Sequence, residues 1–159
     1  MIDFAAIDFA YNESNPMNPY KVCIVIVMND HVVQEFQSYI NLSDPLDENI
    51  PIEIKEKCKF APPFALIEMI IGHMISNLPI VSFNSVVVKK LFEIEHEQIK
   101  IPIPYAIEHI INPCEIAGLS FEEFCKKSGI DVVEPTNLLD RVFDCAFFYT
   151  QIKGEDLHI

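Results

Sequence analysis

Up to Ile40 the apolar positions follow the two-residue period of strands, and after Pro63 they follow the spacing of helices. Residues 2–9 alternate weakly and predict a first strand. Tyr11–Pro19 predicts a loop, marked by Asn12, Asn15, Pro16, Asn18 and Pro19. Lys21–Met28 is rich in β-branched residues and predicts a buried strand. A turn at Asn29-Asp30 and a strand over Val32–Ile40 complete an antiparallel meander. Asn41–Pro51 is an acidic, turn-rich connection.

Pro63–Ser76 carries Phe64, Ile67, Ile71 and Ile75 at helical spacing, with Pro63 suited to a helix start. Pro79–Phe83 predicts a short buried strand. Ser85–Glu95 predicts a helix with Val88, Leu91 and Phe92 on one side, and Ile101–Pro104 a strand or extended segment. Ser120 is placed to cap a helix from Phe121 to Lys127. Glu123, three residues after it, would complete a capping box, and Gly129 would end the helix. Asn137–Lys153 predicts the last helix, with Leu138, Val142, Cys145, Ala146 and Tyr149 inward. This order predicts one α/β domain over residues 1–159, with a mixed central sheet flanked by helices.

Composition narrows the setting. Half of the residues are hydrophobic (50%) and the mean hydropathy is +0.23, but no apolar run reaches the ~20 residues of a bilayer span. The longest runs, Val22–Met28 and Ile80–Val88, suit buried strands. Asp3 sits near the start and no basic region precedes an apolar stretch, so an intracellular, cytoplasmic protein is expected. Cys23, Cys58, Cys114, Cys125 and Cys145 lack metal-ligand spacing and read as free thiols in a reducing compartment.

The charge balance is strongly acidic. Net charge is −13 from 24 acidic and 11 basic residues, which disfavours nucleic acid as a partner. Arg141 is the sole arginine. The lysines at 55, 57 and 59, at 89 and 90, and at 126 and 127 form clusters that read as solvated faces. A metal-dependent nuclease is not excluded, because bound divalent ions reverse the local field.

One segment carries the outline of a catalytic motif. Phe4-Ala5-Ala6-Ile7-Asp8-Phe9-Ala10 delivers Asp8 on a strand and places Ala10 on the same face two residues on. Carboxylates at both positions would build half of a two-metal site.

That segment resembles the first motif of the DnaQ-like, or DEDD, 3′–5′ exonucleases, the group that includes the proofreading subunit of bacterial DNA polymerase III. The resemblance extends along the chain. Val25–Ile40 is similar to the family's second and third strands. Phe60-Ala61-Pro62-Pro63-Phe64 and Leu78-Pro79-Ile80-Val81-Ser82-Phe83-Asn84-Ser85 resemble the second motif region. Leu119–Ile130 resembles the segment before the third motif, and Asn137-Leu138-Leu139-Asp140 its opening. The resemblance implies an RNase H-like exonuclease fold.

It also implies four carboxylates that hold two divalent ions, Mg²⁺ or Mn²⁺, with a histidine or tyrosine base. Position by position, Asp8 matches the first acid and Ala10 replaces the second. Asn84 matches the second motif's asparagine, and Val88 falls where its aspartate is expected. Asp140 matches the last acid. Pro135 stands where the histidine would lie and Thr136 where the tyrosine would.

Asp8 and Asp140 are therefore the expected metal ligands if any remain, and Phe9 and Asn84 the expected substrate contacts. The plainer readings stand beside these. Asp8 fits a strand-end acid facing solvent or pairing with a lysine or a backbone N–H. Asp140 fits a helix first-turn charge, and Asn84 a turn former. Glu13 and Asp144 are the residues placed to substitute for missing ligands.

The function implied is a non-catalytic protein of exonuclease fold, bound to a protein partner or to itself and needing no cofactor. The alternative is a metal-dependent 3′–5′ exonuclease on DNA or RNA with relocated ligands.

Overall fold

A computed structural model of the chain describes residues 1–99, 109–128 and 138–159. Strands β1 (Phe4–Asn12), β2 (Asn15–Met28) and β3 (His31–Tyr39) form the meander. Helices α1 (Ile52–Lys59) and α2 (Phe64–Ile75) follow, then the short strand β4 (Ile80–Val81) and helix α3 (Ser85–Ile99). Helices α4 (Pro113–Ala117), α5 (Phe121–Ser128) and α6 (Leu138–Ile152) complete the described elements. The sheet order is β3-β2-β1-β4, antiparallel except for the parallel pair β1–β4. Beyond β4, Ile111 adds a parallel bridge to Val81.

Central position explains the apolar run of β1. With β2 on one side and β4 on the other, both of its faces are covered, so Phe4–Ala10 is buried throughout. Its even positions Phe4, Ala6 and Ala10 pack with Leu138, Val142, Cys145, Ala146 and Tyr149 of α6. Its odd positions Ala5, Ile7 and Phe9 pack with Ile67, Ile71 and Ile75 of α2 and with Val88, Leu91 and Phe92 of α3. Two core layers thus sandwich one sheet, and the apolar residues expected on the inner sides of α2, α3 and α6 lie in them.

Local chemistry fixes the turns. Asn29 and Asp30 both take positive φ, 51° and 65°, as a two-residue hairpin loop with the sheet's own twist requires. Asp3 accepts the Asn29 N–H at 2.6 Å and Asp30 accepts the Ile2 N–H at 2.7 Å, which ties the first residues to that turn. The C-terminal segment reaches the same corner, where Val32 N–H donates to the His158 carbonyl at 2.8 Å. The capping box of α5 forms as the sequence predicts. Ser120 Oγ accepts the Glu123 N–H at 3.1 Å and Glu123 accepts the Ser120 N–H at 3.2 Å.

One local expectation needs correction, and two helices arise where none was expected. Tyr11–Pro19 is strand rather than loop: the ladder continues through Tyr11↔Pro19 to Asn12↔Asn15, with the extra residues absorbed in bulges. Asp47 holds the tip by accepting from the Ser14 N–H and hydroxyl, and its own N–H donates to Asn12 Oδ1 at 2.7 Å. Helix α1 arises where the sequence shows a lysine cluster. It buries only Cys58, so no apolar period announces it. Helix α4 is a single capped turn, with Asn112 accepting from the Cys114 N–H, Pro113 at its start and Gly118 left-handed at φ 69°. The expected segment Ile101–Pro104 and the helix end at Gly129 lie outside the described residues.

None of the five cysteines forms a disulfide, and all are buried. Burial pushes the Cys23 thiol up to about 12 and the Cys114 thiol up to about 11, and lifts those of Cys58 and Cys145 as well. Thiolate is the reacting form. An aromatic disulfide reagent is therefore expected to label none of the five within minutes at pH 8, and all five once urea unfolds the chain. Fast native labelling of any of them would contradict this burial.

Candidate functional site

Asp8 lies on the even face of β1, under α6, and is 3% exposed. It does not face solvent at a strand end: it is sealed within the first core layer. Burial lifts its carboxyl from 3.8 to about 6, while the charge of Arg141 and a hydrogen bond from the Phe9 N–H hold it down. That N–H reaches Oδ1 at 2.8 Å. Cys23 and Cys145 are its neighbours, and its charge raises both thiols further.

Helix geometry decides which residue of α6 meets it. The buried stripe is Leu138, Val142, Cys145, Ala146 and Tyr149. Asp140 lies about 200° round the helix from Val142 and is exposed. Arg141 precedes Cys145 by four residues, about 40° apart on the helix, and is half-buried. Asp140 therefore points away from the sheet, and the charged group α6 presents to Asp8 is a guanidinium. Arg141 also lies over the Phe121 ring, 5.6 Å from its centroid. Motif spacing alone directs attention to Asp140. The pointer to Arg141 is that the chain's only arginine falls beside the inner stripe.

The remaining sequence-predicted residues fall in different places. Ala10 is buried on Asp8's face. Val88 is fully buried in the opposite layer, among the α2 and α3 side chains. Phe9, expected at the substrate, is 1% exposed. Its ring is clasped edge-on by Phe64 at 5.7 Å and Phe92 at 5.9 Å, so it belongs to the core and offers no surface.

Asn84 is at the turn from β4 into α3. Its amide donates to the Tyr11 hydroxyl at 3.2 Å, its N–H donates to Ser82 Oγ at 3.1 Å, and its carbonyl accepts the Val88 N–H. It thereby joins the far end of β1 to the start of α3. Glu13 is exposed at the hairpin tip. Asp144 is half-buried in a groove of about 330 Å³ between α5 and α6, with Leu119, Phe124 and Phe148. Burial and then the Asp140 charge raise its carboxyl. Pro135 and Thr136 lie outside the described residues.

This donor set does not fit a pair of divalent ions. Mg²⁺ and Mn²⁺ need several oxygen ligands. On Asp8's face the aligned position holds Ala10, Val88 lies in the opposite layer, and the charge of Arg141 on α6 is positive. Among the described residues, no three His, Cys, Asp or Glu side chains gather into a group able to hold a metal ion.

Comparison with solved structures gives the fold its relatives. Over 95% of this chain, the structure described as 3′-end specific recognition of histone mRNA stem-loop by 3′-exonuclease superposes with a TM-score of 0.69 at 14% identity. The fold is that of the DnaQ-like 3′–5′ exonucleases. The nuclease domain of 3′hExo, a DEDDh family member bound to rAMP, superposes over 99% of this chain and 95% of its own, with a TM-score of 0.64 at 16% identity. This chain spans 62% of the first structure. No family model and no curated protein matches the sequence. The exonuclease fold is thus present at sequence identities that carry shape alone. Among the described residues, no helix is long and apolar enough to cross a membrane.

Proposed function

We propose that this chain is an exonuclease-fold protein that does not hydrolyse phosphodiesters and works by binding, to a protein partner or to a second copy, in the cytoplasm. The observation that carries this reading is Arg141. The charge that α6 brings to bear on the buried Asp8 is a guanidinium, which lowers its carboxyl against the larger effect of burial, where a two-metal centre would set divalent ions. Ala10 and Val88 offer no replacement ligands, and Asp140 faces away from the sheet. On this reading the fold is kept as a scaffold and no cofactor is required.

Nucleic acid remains the other class of ligand, since the solved relatives are described with an mRNA stem-loop and with rAMP. For this chain a net charge of −13 works against it. The alternative is a metal-dependent 3′–5′ exonuclease with relocated ligands, which rests on the fold and on the one retained buried acid.

The deciding measurement is degradation of 3′-labelled single-stranded DNA and RNA with Mg²⁺ or Mn²⁺, wild type beside Asp8→Ala. The expected result is equal background in both. Processive shortening by wild type that Asp8→Ala abolishes would transfer the protein to the enzyme reading.

A further inference from the structure

The groove of about 330 Å³ between α5 and α6 is built from one stripe of each helix. Asp144, Phe147 and Phe148 stand at i, i+3 and i+4 on α6, and Phe124 and Lys127 at i and i+3 on α5. Phe124 is buried, and its ring centroid lies 4.4 Å from that of half-buried Phe148. Phe147 is half-buried as well. Three aromatic rings and one carboxylate therefore share a concavity of small-ligand size.

No cation of the chain answers that carboxylate. Among the described residues Asp144 makes no ion pair. Burial and the Asp140 charge both raise its carboxyl, and no positive charge lowers it. Elsewhere the chain sets its own cations on its rings: Lys21 and Lys57 lie over Tyr39, Arg141 over Phe121 and Lys153 over Tyr149. Lys127 is exposed where it lines the groove and lies over none of the three phenylalanines.

We propose that this groove seats an arginine side chain presented by a basic segment of a partner protein, its guanidinium bonded to Asp144 and stacked on the Phe147 and Phe148 rings. The proposal deepens the binding role above, rests on it and names the chemistry of the ligand. A carboxylate accepts two N–H groups of a guanidinium in parallel, and aromatic faces attract its flat cation. An ammonium has neither the plane nor the fork, so lysine is the weaker occupant.

Charge selects the partner. A net charge of −13 draws basic segments from a distance, and the groove adds a fixed seat that the general field lacks. A second copy does not supply the guanidinium. The chain's sole arginine, Arg141, is half-buried and lies against Phe121.

The probe is a fluorescein-labelled glycine–serine peptide carrying a pair of arginines, and the readout is fluorescence anisotropy at about 0.15 M salt. This peptide is expected to bind at least tenfold more tightly than its citrulline counterpart, which keeps the shape and loses the charge. It is expected to bind several-fold more tightly than the lysine counterpart. Asp144→Asn is expected to weaken binding of the arginine peptide at least tenfold with the melting temperature maintained, because the amide fills the same space. Phe147→Leu is expected to weaken it several-fold. Glu56→Gln removes an exposed acid of α1, changes the net charge by the same amount and is expected to leave binding unchanged.

Equal binding of the arginine and citrulline peptides, a lysine peptide bound as tightly, or wild-type affinity in Asp144→Asn would each overturn the proposal. So would equal weakening by Glu56→Gln, which would reduce the attraction to overall charge. None of these readouts uses nuclease activity. Failure of the groove and failure of the non-catalytic reading are therefore separately visible.

Discussion

Asp8→Asn is expected to stabilise the protein at pH 7 by up to about 3 kcal/mol and to leave it unchanged near pH 4. The carboxyl titrates at 3.8 when exposed and at about 6 in the fold, burial being the largest cause. Between those values the folded state holds the proton that the unfolded state has released, so stability falls as pH rises. The loss is complete just above pH 6, where a charged Asp8 must be carried in the core. An amide keeps the shape and can still accept the Phe9 N–H, but never ionises.

Urea midpoints of the two proteins from pH 4 to pH 8 measure the effect. The wild-type curve should slope downwards more steeply than that of the variant, whose remaining slope comes from the raised carboxyls of Asp144 and Glu95. Arg141→Met should extend the wild-type decline to higher pH, because the guanidinium is the charge that holds the Asp8 carboxyl down. Equal slopes in wild type and Asp8→Asn would mean that Asp8 does not titrate as a buried acid. The experiment also separates the two functions. In a working metal site Asp8→Asn would trade stability against activity, and Mn²⁺ would raise the melting temperature of wild type alone.

Phe9→Ala is expected to cost about 3–5 kcal/mol, a large share of the stability of a domain this size. The ring is fully buried between Phe64 and Phe92 at nearly perpendicular angles, 80° and 72°. Truncation would remove two edge-to-face contacts and leave a cavity in the layer that α2 and α3 close. Calorimetry should show the melting temperature lowered by roughly 10 °C. A small shift would mean that Phe64 and Phe92 collapse into the space. It would also reopen a role for Phe9 at a surface.

Much of this was readable from residue order, and the failures have physical causes. The β-branched run before Met28, the helical spacing after Pro63 and the Ser120–Glu123 box each specify structure through contacts within a few residues, and each formed as expected. The Tyr11–Pro19 hairpin misled because its asparagines and prolines suit a loop. What keeps it in the sheet is Asp47, more than thirty residues away in sequence. Helices α1 and α4 bury too little to leave a period.

In the candidate site, the spacing of the motif fixed attention on Asp140 as the last acid. Which side of a helix faces the sheet is a matter of angle, and one residue of displacement turned an expected ligand outwards and a cation inwards. Burial of Asp8 was equally invisible in the sequence, because it depends on α6 lying over the strand.

That arrangement also sets an order on folding. The meander β1–β2–β3 joins neighbours in sequence and can close early, whereas the helix that covers its even face belongs to residues 138–152. As the chain leaves the ribosome, Phe4, Ala6, Cys23, Val25 and Val27 stand uncovered until residues 138–152, more than a hundred positions after β2, have been made. Nascent chains stalled before α6 would carry a bare apolar sheet face, the kind of surface chaperones hold. Helix α6, more than the strands that precede it, would therefore govern the yield of native protein during synthesis.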